Sequence, residues 1–220
     1  ADGRNTIVIG PGANGALTPG HIARQAGAIA AARIVLAQLE SPVDSVLEAM
    51  RLARAGGIRT ILNPAPANAQ STRELLAVAD VLTPNETEFA ALLARHASEL
   101  IDADAVAGLD GADLHALCRV LLPRGTVVVT LGAAGAFVSH REAKCRGDDL
   151  PYYRIPAFEA RTVDTTGAGD AFNGALASSL ATVPERPFAD HVRFAARYAA
   201  LSTEHEGAAE SMPLLAATAP

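Results

Sequence analysis

The chain has 220 residues, half of them apolar and 19% charged, with 18 Lys and Arg against 24 Asp and Glu. That length fits one large domain or two small ones, and the apolar share is that of a packed core, which excludes disorder. A net charge of −6, three Tyr, six Phe and no Trp exclude a nucleic-acid surface, an anionic membrane or a base-stacking platform as the main partner.

Two cysteines, Cys118 and Cys145, cannot build a disulfide framework and point to a reducing, cytoplasmic compartment. No charge-free apolar stretch approaches the ~18 residues of a membrane span, and no secretory leader is expected.

In chain order, residues 6–9 read as a short strand closed by Gly10-Pro11-Gly12, and a helix is expected from about Pro19. Residues 33–39 carry Ile34, Val35, Leu36 and Ala37 in succession, the pattern of a strand buried on both faces. Asp44 is placed as an N-cap, Val46, Met50 and Ala53 share one helical stripe, and Gly56-Gly57 stops the helix. Residues 60–62 read as a strand broken by Asn63-Pro64-Ala65-Pro66, and 71–78 as a short helix. Residues 80–83 form a strand ended by Pro84, and 86–94 a helix. Leu114, Leu117, Cys118 and Leu121 fall at helical spacing against a core. Residues 126–130 make a buried strand, and 136–139 and 152–155 two more across the polar stretch 141–151. Gly167-Ala168-Gly169 opens a helix carrying Ala171, Phe172, Ala175, Leu176 and Ser179. Phe188, Val192, Ala195, Ala196 and Ala199 mark the last helix, and 211–220 a loosely packed tail. This alternation implies a parallel sheet covered by helices in a single domain.

Ligands of open α/β sheets bind beyond the carboxyl ends of the strands. The residues there are Gln38-Leu39-Glu40, Asn63, Thr83-Pro84-Asn85-Glu86, Thr130-Leu131-Gly132 and the run 164–170. One rim would then gather two to three carboxylates, two Asn and a Gly-rich loop, ordinary helix caps being the alternative at single positions. In the run from Asp164 to Gly174, two glycines around Ala168 let successive N–H groups face an anion at a helix start. Asp170, in the first turn, would repel a phosphate bound there. Such a pairing has a use if the carboxylate takes the proton of the hydroxyl that attacks phosphorus; a capping Asp in a Gly-rich turn is the alternative. Gly-x-x-x-x-Gly-Lys-Ser/Thr occurs nowhere in the chain, and Phe172 stands where a dinucleotide fingerprint needs its third small residue.

The segment Asp164-Thr165-Thr166-Gly167-Ala168-Gly169-Asp170-Ala171-Phe172-Asn173-Gly174 resembles the C-terminal signature of the ribokinase (PfkB-type) carbohydrate kinases. Gly12-Ala13-Asn14, Gln38-Leu39-Glu40-Ser41-Pro42, Leu62-Asn63-Pro64-Ala65-Pro66-Ala67, Thr83-Pro84-Asn85-Glu86-Thr87-Glu88, and Thr130-Leu131-Gly132 with Gly135 agree in the same order. The third and fourth of these resemble ribose-directed members more than adenosine or fructose relatives. The resemblance implies a three-layer α-β-α ribokinase-like fold with a mostly parallel central sheet over residues 1–220. It implies ATP-dependent phosphorylation of a sugar primary hydroxyl, D-ribose to D-ribose 5-phosphate. The strands and β lid that open family chains have no counterpart before Gly12, so a partial core is expected, holding the nucleotide-binding side and the catalytic loop. Full-length relatives are expected to be homodimers.

By the same resemblance Asp170 is the catalytic base, and Gly167, Ala168 and Gly169 form the anion hole. Glu40, with Asp170, binds the sugar. Asn85 and Glu88 face the ATP phosphates and Mg²⁺, Glu88 through water. Thr130, Leu131, Gly132 and Gly135 line the nucleotide groove, which reaches Gly169 and Asp170. Asp164 and Thr166 belong to a K⁺ site completed by Ser202, His205, Gly207 and Ser211, mostly through backbone oxygens. The alternative is a non-catalytic kinase-like chain that binds nucleotide or a protein partner. The six His lack zinc-ligand spacing, Cys118 is expected in the core, Cys145 on an exposed loop, and Arg193 with Arg197 on a solvated helix face.

Overall fold

A computed structural model describes residue 10 and residues 12–214; the strand expected at 6–9 lies outside them. Among the described residues six strands form one sheet in sequential order: β1 (Ile34–Ala37), β2 (Arg59–Leu62), β3 (Val81–Leu82), β4 (Thr126–Thr130), β5 (Ala136–Ser139) and β6 (Tyr152–Ile155). The first four are parallel, and β5 and β6 are antiparallel additions. Only a short 3₁₀ turn, Gly132–Ala134, separates β4 from β5, too little chain for a crossover.

Three short helices, α1 (Gly12–Gly15), α2 (Pro19–Arg24) and α3 (Ala26–Ala30), precede the sheet. The crossovers then carry α4 (Val43–Ala55), α5 (Arg73–Ala77), α6 (Glu86–His96), α7 (Ala103–Val106) and α8 (Gly111–Leu121). Crossovers of one hand, stepping in one direction across a sheet, put all their helices on one face. The other face is covered by α9 (Ala168–Thr182) and α10 (Phe188–Ser202), so the architecture has three layers.

Strand alternation divides the core accordingly. Leu62, Leu82, Val127, Val129 and Phe137 pack with Met50, Phe89, Leu93 and Leu114. Their neighbours Ile61, Val81, Val128, Ala136 and Val138 pack with Phe172, Leu176, Phe188 and Val192. Cys118 is buried in the first cluster, where loss of water pushes its thiol up to about 12.

Four local expectations need correction. Leu36 is 39% exposed, because β1 is an edge strand among the described residues, not one buried on both faces. Asp44 is not the cap of α4: Pro42 is, its φ of −53° being preset for a helix start, and Asp44 sits inside the first turn. Cys145 is half-buried, in a bridge with Asp148. The tail is packed at its start, since Ser211 is buried with its hydroxyl donating to the Ala208 carbonyl at 2.8 Å.

Candidate active site

The site lies along the carboxyl ends of β3 and β4. After β3, the Pro84 carbonyl accepts the Thr130 amide at 2.9 Å, which sets the end of β3 beside that of β4. Proline offers no N–H to extend the ladder, so the chain turns into α6. Asn85 caps that helix: its Oδ1 accepts the Glu88 amide at 2.8 Å, and Glu88 accepts the Asn85 amide at 2.9 Å. A further bond of 3.1 Å joins the Asn85 side-chain amide to Glu88. Burial raises the Glu88 carboxyl above its ordinary range, with the Asn85 amide opposing. The two side chains expected at the ATP phosphates are thus turned toward each other, and Asn85 is the one that reaches the groove surface.

Beyond β4 the Leu131 amide donates to the Gly135 carbonyl at 2.8 Å, and the Gly135 amide to Gly132 at 3.0 Å. Gly135 has φ +87°, and a Cβ there would stand 2.0 Å from the Ile155 carbonyl oxygen, so only glycine fits. Gly132 and Gly135 line the groove, whereas Leu131 is buried in the core beneath it.

The groove encloses about 770 Å³, within the range of small-molecule sites. Phe158 forms one wall, and Ala196, Ala199 and Ala200 of α10 form part of another. Ala196 and Ala199, which the sequence marks only as part of the last helix, pack against the core and also face the groove. Their small size on a helix that begins with Phe188 and Val192 was the available signal, since bulk there would fill the groove.

At the far end stands the Gly-rich loop. Gly167 caps α9 in the left-handed region, φ +77°, and a Cβ there would come within 3.0 Å of Ala208. Among the described residues the amides of Gly169 and Asp170 have no backbone acceptor, as first-turn amides of a helix do not, and together with the helix dipole they attract an anion. Ala168 and Gly169 line the groove, and the Asp170 side chain is exposed just past them, in the first turn. Asn173, one turn on, donates to the Gly169 carbonyl at 2.9 Å and accepts the Thr83 hydroxyl at 2.6 Å. Asn63 in turn donates to the Thr83 carbonyl at 2.8 Å. The ends of β2 and β3 are therefore tied to the loop. Glu40 is exposed and outside the groove lining; its segment is tied to the Asn63–Ala67 stretch by the Leu39 amide, 2.8 Å from the Ala65 carbonyl.

The loop before Gly167 is pinned to the chain after α10. Asp164 accepts the Thr166 amide at 2.9 Å, the Thr166 hydroxyl at 2.7 Å and the Gly207 amide at 3.0 Å. The Thr166 hydroxyl, then the two amides, hold its carboxyl below the usual range. Asp164, Thr166 and Gly207 are thus brought together. The Ser202 and Ser211 hydroxyls turn to the carbonyls of Ala199 and Ala208, and His205 is exposed. Among the residues expected at a K⁺ site Asp164 is the one carboxylate, and the donors it meets are the Thr166 hydroxyl and the Thr166 and Gly207 amides. No cluster of three His, Cys, Asp or Glu occurs among the described residues.

A mostly parallel sheet between two layers of helices thus carries a groove at its carboxyl rim, with a Gly-rich loop and an adjoining Asp at one end. The chain belongs to the pfkB family of carbohydrate kinases, whose family model matches residues 1–215. Among its relatives, the ribokinase of Staphylococcus aureus (strain COL) is 34% identical over 215 residues, covering 98% of this chain and 64% of the relative. The ribokinase of Mus musculus is 34% identical over 214 residues, covering 96% of this chain and 61% of its own. The crystal structure of ribokinase from Thermotoga maritima superposes with a TM-score of 0.79 at 29% identity, covering 98% of this chain and 64% of that one. Arabidopsis thaliana ribokinase, solved with ribose and ATP, gives 0.72 at 29% identity, covering 96% and 63%. The chain thus spans under two thirds of the length of the relatives it matches.

Proposed function

We propose that the protein transfers the γ-phosphate of ATP to the primary hydroxyl of D-ribose, giving D-ribose 5-phosphate and ADP, with residues 1–220 as one partial kinase core acting in the cytoplasm. The observation that carries this reading is the position of Asp170: in the first turn of α9, beside the unpaired amides of Gly169 and Asp170, at the end of a nucleotide-sized groove. ATP would lie along Thr130, Gly132 and Gly135 with its terminal phosphate toward Gly167, Ala168 and Gly169. Mg²⁺ arrives as part of the nucleotide substrate, and Glu88, bonded to Asn85, would reach it only through water. The sugar, held by Glu40 and Asp170, gives its hydroxyl proton to the Asp170 carboxylate as its oxygen bonds to phosphorus and the bond to ADP breaks. The loop amides, already oriented, stabilise charge on the transferring group. K⁺ at Asp164, Thr166 and the 202–211 carbonyls would order the loop.

The ribose assignment rests on the ribokinase relatives and on Asn63–Ala67 and Pro84–Glu88. No helix among the described residues is long and apolar enough to cross a membrane. A coupled ADP-release assay with a panel of sugars, the product identified by phosphorus NMR, tests the proposal. Ribose-dependent turnover yielding the 5-phosphate is expected. Nucleotide binding with no sugar-dependent turnover would favour the non-catalytic reading instead.

A further inference from the structure

A second cavity, about 130 Å³, lies at the amino end of the parallel strands, the opposite end from the groove, and shares no lining residue with it. Arg59 enters it from the start of β2, Arg146 from the β5–β6 connection, Arg186 and Glu185 from the turn between α9 and α10, and His191 from the first turn of α10. Three guanidinium groups thus converge against one carboxylate, in a chain whose net charge is −6.

The nearby carboxylates are engaged elsewhere. Asp80 accepts Arg54 and the Thr60 amide, Asp190 accepts Arg193, and Asp148 accepts His140 and the Ala189 amide. No carboxylate pairs with Arg59, Arg146 or Arg186 among the described residues. Arg146 is fixed by bonds of 3.1 Å to the Thr126 hydroxyl and the Asp80 carbonyl, and it lies over the Phe188 ring. Those bonds use two of its five N–H groups. Its backbone is held at φ +55°, uncommon for a residue with a side chain.

His191 is 1% exposed; its Nδ1 is 2.8 Å from the Ser179 hydroxyl, and its Nε2 has no partner of hydrogen-bond geometry among the described residues. Burial lowers its basicity, with the Arg186 carbonyl opposing and Arg59 reinforcing. Where the Ser179 hydroxyl donates to Nδ1, the neutral ring carries its proton on Nε2. In that tautomer the Arg186 carbonyl lies near the ring, but Nε2 makes no bond of full hydrogen-bond geometry among the described residues, and an oxyanion in the cavity would supply an acceptor.

We propose that this cavity binds a phosphate dianion, free or at the end of a small phosphomonoester, with Arg59, Arg146 and Arg186 supplying the charge and His191 Nε2 a hydrogen bond. Its volume suits a phosphate group and is far below that of the nucleotide groove. Several guanidinium donors around one oxyanion are the geometry that recognises phosphate.

The test follows the His191 imidazole by ¹H–¹⁵N NMR in the intact protein, with ADP present to occupy the groove and ionic strength held constant with chloride. Inorganic phosphate and glycerol phosphate are titrated separately. A saturable shift of the His191 signals with either anion is expected, and the stronger response identifies the free or the esterified source. The double variant Arg59→Gln/Arg186→Gln, which removes no hydrogen bond seen in the fold, should weaken the apparent affinity by about tenfold or more. His191 signals unmoved by both anions, or an affinity unchanged in the double variant, would overturn the assignment.

Discussion

The Thr83 hydroxyl donates to Asn173 Oδ1 at 2.6 Å, joining residues 90 apart in sequence. Both are buried, and Asn173 passes the connection on to the Gly169 carbonyl, so the end of β3 fixes the first turn of α9. The anion loop is therefore oriented by the sheet as well as by its own glycines.

Thr83→Val keeps the shape and leaves Asn173 Oδ1 without its donor. An orphaned buried polar group costs about 1–3 kcal/mol, so urea unfolding should show a loss of that size. With the loop less constrained, kcat should fall more than KM for ATP. Unchanged stability and kcat would remove the bond from this role.

Gly135→Ala should be worse than an ordinary turn substitution. The new Cβ would collide with the Ile155 carbonyl and the Ala157 amide, at a backbone angle that side chains rarely adopt. The conformation alone costs about 1–3 kcal/mol, and the collision adds to it by pushing β6 from the groove rim. A lowered Tm together with weaker binding of a non-hydrolysable ATP analogue is expected; tight binding with wild-type stability would contradict this packing.

Acid should destabilise the fold through His140. Its ring is fully buried, with Nδ1 2.9 Å from the Thr126 hydroxyl and Nε2 2.9 Å from Asp148. Burial pushes the imidazole below its ordinary 6.5, and Asp148 opposes this only in part. With the folded value below the unfolded one, the unfolded chain takes up the proton first as the pH falls. The contribution is complete above about 6.5 and is lost as the pH drops through the folded value. Urea midpoints should fall across that interval, and less so in His140→Gln. A midpoint that rises on acidification would contradict the sign.

Asp164 predicts a cation effect. Turnover should be faster in K⁺ than in Na⁺ at matched ionic strength, and Asp164→Ala should raise the K⁺ concentration needed for half-maximal rate. Equal rates in the two salts would leave Asp164 with its turn-holding bonds to Thr166 and Gly207 alone.

Much of the fold was legible because its signals are local. Strands β4, β5 and β6 fall where runs of apolar residues between turns put them, and the Gly-rich start of α9 is where the motif places it. What was not legible depends on distance. The links from Asn63 to Thr83 to Asn173 span 20 and 90 residues and leave no trace in spacing. Glu88 carries the same letter whether it faces a groove or, as here, the backbone of Asn85. Four apolar residues at 34–37 cannot say whether a strand lies inside a sheet or at its edge. Ala196 and Ala199 mark a helix in the sequence, but smallness looks the same under a helix and beside a groove, so their place in the groove lining leaves no separate signal.

Asp170→Asn is the most direct measurement of all. The substitution keeps the size of the side chain and removes its ability to take a proton. General-base catalysis contributes roughly 10²–10⁴-fold, so kcat for ribose phosphorylation by the intact protein should fall by that factor while binding of ATP persists. Turnover within about tenfold of wild type would show that Asp170 is not the base, because loss of a true general base cannot leave the rate so nearly intact.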